Sequence, residues 1–464
     1  MRCFRLFWGG FHYRTWEKPM EKQAGLLEPN LMRVAVLTAA VQEPNMTRQE
    51  FRDDPIAAAM KAAITWIGTA KEIGLDGIQL AGALALPDAY VPPECMLDPT
   101  APHAALRTKP DGDGEDMSDE NAGILAKNCD GKLTIYSIGF FENLLHSYPK
   151  IRKQIHEHLL RCGRAAQKLR EKGVACKGVT TFIGRDTNVS IDENLVLYEA
   201  RVVPLIKQFK EMGIKLFLEP CPMPGWNAGV DTFIQNIAYC PAMWITLERI
   251  AMKHGAGGVL RITYDASHDI LMGTTPLMSF AFLRAAGYEH LLEDPHGKDQ
   301  NRNLAKVAAH TILGQRGGLG IRVRGKLLTN PAELGGKAWG RMTAAHSLPG
   351  IGQYNPHAQS MGYKVDWLAH QLHLRTVLGI KPSENAFIIE HEWGPARDQN
   401  LKRVAQAIQI SSQFIRAVDA AADANARAEQ WCKDNDLPWL SFSSPLDTIE
   451  GLGEEVDNIL AIPV

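Results

Sequence analysis

Short runs of apolar residues alternate with longer helical patterns through most of the chain from residue 32 onward. Continuous apolar runs suit strands that are buried on both faces, as in a parallel sheet. The pattern predicts eight such strands, over residues 34–38, 77–80, 133–139, 177–184, 215–219, 259–265, 290–294 and 386–390. Strands that alternate with helices are typical of parallel α/β proteins.

The stretches between these runs carry apolar residues at helical spacing. Helices are predicted over residues 55–72, 118–128, 151–171, 194–212, 244–253, 277–286, 365–378 and 400–418. Eight strands, each followed by a helix, favour an α/β fold of the (β/α)8 TIM barrel type. The alternative is an open doubly wound sheet, which usually has a Gly-rich turn after its first strand. Here the first strand runs into Thr38-Ala39-Ala40, which favours the barrel.

Four regions exceed what a minimal barrel needs. Residues 1–31 have no clear period and are predicted to be an N-terminal extension of a barrel over residues 32–418. Inside the barrel, the Pro-rich and then acidic loop 81–117 and the insertion 300–363 before the last strand both follow strands. Because strand ends face the active site in such barrels, either segment is a candidate lid. Residues 419–464 are predicted to be a C-terminal extension.

The charge is nearly balanced, with 50 Lys and Arg against 52 Asp and Glu and a net charge of −2. This composition gives no support for a nucleic-acid or anionic-membrane partner. No apolar run approaches the ~20 residues of a membrane span. The 8 cysteines show no Cys-x-x-Cys spacing, as expected of reduced thiols in a cytoplasmic protein. The Ala-rich segment 405–430 could pack on the barrel or on a second subunit, which leaves a homo-oligomer open.

Polar residues end four of the predicted strands. They are Glu219, Asp265, His296 and Glu390. The carboxyl ends of barrel strands meet at one mouth, so these side chains are expected to converge. Carboxylates buried together repel one another unless a cation is present. Three carboxylates and an imidazole suit one divalent ion, with Mn²⁺ favoured and Mg²⁺, Co²⁺ or Zn²⁺ as alternatives.

Seven short motifs follow one another along the same chain. They are GLDGI (74–78), TFIGRD (181–186), LEPCPM (218–223), YDASH (264–268), HGKD (296–299), PGIG (349–352) and IEHE (389–392). Together and in this order, over about residues 34–418, they resemble the sugar phosphate isomerase/epimerase family of xylose isomerase-like TIM barrels. One departure is Gln79, which stands where many relatives have a Glu after the second strand.

The resemblance implies a site and a reaction. Its metal ligands fall on Glu219, Asp265, His296 and Glu390, the four residues selected from the strand ends. It also implies that His268 and Arg302 hold substrate oxygens. The expected activity is that of an isomerase or epimerase acting on a sugar or keto-sugar, with a proton abstracted next to a carbonyl to give an enediolate. Glu219 and Glu390 are the expected acid/base pair.

Three other functions compete with this prediction. A lyase, dehydratase or deglycosidase could use the same base and metal to eliminate a β-substituent from a 3-keto-sugar or an inosose. An abasic-site nuclease would need several metal ions with more histidine ligands and a basic groove, which the sequence does not favour. A non-catalytic carbohydrate-binding protein would not need to retain a stoichiometric ion.

Overall fold

The computed structural model describes nine parts of the 464-residue chain. They are residues 31–38, 54–82, 116–222, 235–272, 274–297, 321–323, 326–328, 367–389 and 401–434. The two predicted lids and both predicted terminal extensions fall largely outside these described residues. Their roles and the domain boundaries therefore stay predictions.

Each of the eight apolar runs forms a strand. The strands in chain order are β1 (Arg33–Leu37), β2 (Gly77–Ala81), β3 (Thr134–Asn143), β4 (Gly178–Phe182), β5 (Lys215–Leu218), β6 (Leu260–Asp265), β7 (Leu292–Gly297), β8 (Ile321–Val323), β9 (Lys326–Leu328) and β10 (Ala386–Ile389). Strands β8 and β9 form a separate antiparallel hairpin. The other eight close into a barrel of order β1-β10-β7-β6-β5-β4-β3-β2 with parallel pairing, which confirms the predicted TIM barrel.

Helices connect most of the barrel strands. They are α1 (Pro55–Glu72), α2 (Asp119–Cys129), α3 (Pro149–Glu171), α4 (Ile191–Arg201), α5 (Val203–Met212), α6 (Pro241–Lys253), α7 (Ala266–Leu271), α8 (Pro276–Ala286), α9 (Trp367–Thr376) and α10 (Leu401–Asp434). The predicted Ser118 cap is present, since its side chain accepts a hydrogen bond from the Asn121 backbone N–H. None of the helices in the described ranges combines the length and apolar content needed to cross a bilayer.

Four elements differ from the sequence prediction. The helix predicted over 194–212 is two helices, because Pro204 in the first turn of α5 has no N–H to continue α4. Strand β7 ends at Gly297 rather than at residue 294, so His296 lies within the strand. The short helix α7 directly after β6 was not predicted. Helix α10 continues to Asp434, well beyond residue 418.

The apolar core lies mainly between the barrel and its helices. Its largest fully buried side chains include Trp66, Trp244, Phe209 and Tyr264. The side chains inside the barrel differ in polarity from one part of it to another. A small apolar cluster of Ala35, Tyr136, Ala386 and Ile388 fills the part around β1, β3 and β10. The interior near β2, β3 and β4 is polar instead, as described below.

Candidate metal centre

Glu219 is fixed at the end of β5 by backbone pairing. Its N–H donates to the carbonyl of Thr181 at 3.0 Å, which extends the pairing of β4 with β5 by one residue. Side chains alternate across a strand, so Phe217 and Glu219 share one side. The Glu219 residue is 2% exposed. The end of the strand therefore places a buried carboxylate at the mouth of the barrel.

Asp265 is the last residue of β6 and is fully buried. Its neighbour Tyr264 points the other way, toward the helices, where its ring packs edge-on against Trp244 and Phe280. This alternation holds Asp265 on the barrel side of the strand. Helix α7 begins at the next residue, so His268 lies one helical turn beyond Asp265.

Glu219, Asp265 and His268 form one buried cluster. The His268 Nε2 atom lies 2.9 Å from Glu219 Oε1 and 3.2 Å from Asp265 Oδ2. One ligand atom from each of the three residues lies within 4.8 Å of those from the other two. These three residues are the only group of this kind found among the described residues. The separation and the donor types fit a single divalent ion.

The carboxylates of the cluster act on the charge of His268. Burial lowers the pKa of His268, but Asp265, Cys221 and Glu219 outweigh burial and raise that pKa well above its ordinary value. The neighbouring carboxylates therefore favour the charged form of the imidazole over its neutral form.

Of the other predicted site residues, the structure describes the backbone of His296. In the strand register, Asp265 on β6 pairs with His296 on β7, and His296 pairs with Ile388 on β10. His296 thus lies in the same row of the barrel as Asp265. Glu390, the residue after the end of β10, lies outside the described residues, and so does Arg302.

Two further residues adjoin the cluster and were not selected from the sequence. Cys221, which is 5% exposed, makes a side-chain hydrogen bond with His268. It stands two residues after Glu219 in the LEPCPM motif, which is the signal in the sequence that could have identified it. It also packs with Phe182 and Phe141 in a small apolar cluster. One wall of the site is therefore apolar.

Asp269 is a further buried carboxyl group, on α7 beside His268. It accepts a hydrogen bond from the Tyr264 hydroxyl, and burial raises its pKa to about 6 while bonds from Ser279 and Tyr264 lower it. The bond ties the start of α7 back to the strand that carries Asp265. Asp269 thereby holds the helix that presents His268.

The barrel interior near β2, β3 and β4 is polar. Gln79 donates from its side-chain amide nitrogen to Ser137 and to Thr180, each at 2.8 Å, and the two hydroxyls lie 3.2 Å apart. All three residues are at most 2% exposed. A glutamate at position 79 would add a third buried carboxylate to this interior. The neutral amide instead forms hydrogen bonds without bringing in a charge.

The chain is similar over most of its length to several solved sugar epimerases. A D-psicose 3-epimerase from Clostridium cellulolyticum H10, solved with D-tagatose, matches with 11% identity and a TM-score of 0.46, covering 84% of this chain and 99% of that one. A 3-keto-D-glucoside 4-epimerase from E. coli matches with 12% identity and a TM-score of 0.46, covering 83% of this chain and 99% of that one.

A xylose isomerase domain protein from Alicyclobacillus acidocaldarius subsp. acidocaldarius also matches. It has 11% identity and a TM-score of 0.46, covering 84% of this chain and 99% of that one. No family model and no curated protein matches the sequence. At identities of 11% and 12%, few side chains are shared with these proteins.

Proposed function

We propose that this protein is a divalent-metal-dependent isomerase or epimerase acting on a sugar or keto-sugar. The observation that carries the proposal is the buried cluster of Glu219, Asp265 and His268 at the carboxyl ends of β5 and β6. Two carboxylates beside an imidazole, on rigid strand ends, are suited both to holding a hard cation and to moving a proton.

The proposed ion is held by Glu219, Asp265, His296 and Glu390, with Mn²⁺ favoured. The register of β6, β7 and β10 supports this set, because it aligns Asp265 with His296 and with Ile388, two residues before Glu390. When bound, the ion would polarise a substrate carbonyl and so lower the pKa of the neighbouring carbon-bound proton. Arg302 and His268 are the proposed holders of substrate oxygens.

Glu219 is the proposed base. The C–H bond next to the carbonyl breaks and its proton goes to the Glu219 carboxylate. The C–H electron pair forms the carbon–carbon double bond of the enediolate, and the π pair of the carbonyl moves to its oxygen. A protonated Glu390 then returns a proton, either to the opposite face of the same carbon, which restores the carbonyl, or to the former carbonyl carbon, in which case the neighbouring hydroxyl gives its proton to the other oxygen and becomes the new carbonyl. The first outcome is epimerisation and the second is isomerisation.

The apolar wall of Phe182, Cys221 and Phe141 supports this chemistry. An apolar wall limits the water that would quench the enediolate. The wall lies next to His268 through Cys221, on the side of the cluster where substrate oxygens are proposed to bind.

Proton exchange in deuterated water tests the proposal. The Mn²⁺-loaded protein is incubated with ketoses, inososes and 3-keto-glycosides, and products are identified by mass and stereochemistry. We expect deuterium at the carbon next to the carbonyl, and a loss of at least about 100-fold in exchange rate for Glu219→Gln and for Glu390→Gln at saturating Mn²⁺.

The control is Glu248→Gln, a change at another buried glutamate, which hydrogen-bonds the Gly258 backbone N–H at 2.7 Å. It should exchange protons at the wild-type rate. Wild-type exchange in both Glu219→Gln and Glu390→Gln would contradict the assigned roles. A product that has lost water or an aglycone would identify a lyase instead of an isomerase.

A further inference from the structure

Asn236 lies next to the cluster but contacts none of its side-chain oxygens. It is fully buried, and its amide nitrogen donates to the backbone carbonyls of Glu219 at 3.0 Å and of Cys221 at 2.8 Å. Its amide oxygen accepts from the backbone N–H groups of Gly184 at 3.1 Å and Ala238 at 3.2 Å. The side chain thus uses both donors and both acceptor positions.

These four bonds join three separate segments of backbone. One segment follows β4 and contains Gly184, whose φ of +76° favours glycine. The second follows β5 and contains Glu219 and Cys221. The third contains Asn236 itself, and two backbone bonds support it, from Gln235 N–H to the Pro222 carbonyl at 2.8 Å and from Ile237 N–H to the Gly184 carbonyl at 3.0 Å.

Beyond Leu218 the sheet no longer determines the direction of the chain. The Glu219 N–H is still paired with β4, but the Glu219 carbonyl receives its hydrogen bond from the Asn236 amide. Fixing both ends of a residue's backbone fixes the direction of its Cα–Cβ bond. That direction decides whether the carboxylate reaches His268 at 2.9 Å.

We propose that Asn236 is a positioning residue that orients Glu219 for metal binding. The inference rests on the proposed function, since it assumes that Glu219 is a ligand. Only a side-chain amide of this length offers two N–H donors to carbonyls on one side and an acceptor on the other. An aspartate would keep the shape but place oxygen against the two carbonyls, so it should fail in the same way as an alanine.

Asn194 provides a matched control. It is also fully buried, and its side chain makes the same kind of hydrogen bonds to backbone groups of the loop between β4 and α4. Its amide oxygen accepts from the Asp186 N–H at 2.8 Å, and its amide nitrogen donates to the carbonyls of Asp186 and Ser190 at 2.9 and 2.8 Å. These bonds do not involve the segment that carries Glu219.

The experiment measures Mn²⁺ binding to the full-length protein by calorimetry and by electron paramagnetic resonance. For Asn236→Ala and Asn236→Asp we expect the dissociation constant of Mn²⁺ to rise about 10- to 100-fold, the range typical of residues that orient metal ligands. For Asn194→Ala we expect the wild-type value within about threefold, although the protein should lose stability from the same kind of buried bonds.

The inference is overturned if Asn236→Ala binds Mn²⁺ as tightly as the wild type, or if Asn194→Ala weakens binding equally. Should Asn236→Ala fail to fold, Asn236→Ser keeps one donor, and its affinity should lie between those of the wild type and Asn236→Asp. Equal affinity of Asn236→Ser and the wild type would count against the proposal. A wild-type protein that binds Mn²⁺ but exchanges no substrate proton would contradict the proposed function alone.

Discussion

Two buried histidines in this barrel have pKa values that are shifted in opposite directions, although burial lowers both. His158 on α3 lies between helix and sheet, where its ring stacks on Phe140 with centroids 4.6 Å apart. Burial, followed by the charge of Arg161, lowers its pKa to about 3. His268 is buried to the same degree at the mouth, but Asp265, Cys221 and Glu219 overcome burial and raise its pKa well above the ordinary value.

The opposite pKa shifts of these two histidines show where this fold concentrates charge. In the layer between barrel and helices, burial favours the neutral form of His158. At the ends of β5 and β6, the carboxylates lie close enough to His268 to favour its charged form. Negative charge is therefore concentrated at the mouth of the barrel.

The largest expected effect concerns the carboxylates of the mouth. Glu219→Gln and Asp265→Asn should each weaken Mn²⁺ binding by at least about 100-fold, or roughly 3 kcal/mol, because each removes a charged ligand. Titration calorimetry measures the change. Glu248→Gln, which alters a buried carboxylate whose pKa burial raises, should leave Mn²⁺ affinity unchanged. An equal loss in all three variants would remove the distinction between the two regions.

A smaller effect concerns the acid stability of the layer that holds His158. The pKa of its imidazole is about 3 when folded, against roughly 6.5 when unfolded, so the unfolded state binds the proton more tightly. Its contribution to stability is therefore complete above about pH 6.5 and is lost as the pH falls toward 3. At pH 5 the expected loss relative to pH 8 is about 2 kcal/mol.

Chemical denaturation at the two pH values tests this prediction. The difference in unfolding free energy between pH 8 and pH 5 should be about 2 kcal/mol smaller for His158→Gln, which cannot titrate in this range, than for the wild type. Comparing the two proteins cancels the titration of other groups. An identical pH dependence would show that the folded protein does not hold His158 neutral. The pKa values of His158 and His268 would then not differ as described.

The barrel was predictable because its strands are apolar on both faces. Buried parallel strands need continuous apolar runs, and the eight runs in the sequence are the eight strands of the closed barrel. The same logic selected Glu219 and Asp265, since a polar residue ending such a run must lie at the mouth. Pro204 could have been recognised as the boundary between α4 and α5, because proline cannot continue a helix.

The residues around Glu219 and Asp265 were not predictable in the same way. Asn236 lies 17 positions after Glu219 and meets it only through tertiary folding, so no period along the chain connects the two. The sequence prediction ended helix α10 too early, because the contacts of its later part come from residues far away in sequence. Asp419 on α10 forms an ion pair with Arg375 at 2.7 Å and accepts a hydrogen bond from the Met32 N–H at 2.8 Å.

A crystal structure of the Mn²⁺-loaded protein, with anomalous scattering recorded at the manganese edge, gives the sharpest test of the proposed metal site. We expect one manganese peak per chain, about 2 Å from carboxylate oxygens of Glu219 and Asp265, with His296 and Glu390 as the remaining protein ligands. A strong peak at another place, or no peak at saturating Mn²⁺, would contradict the proposed site.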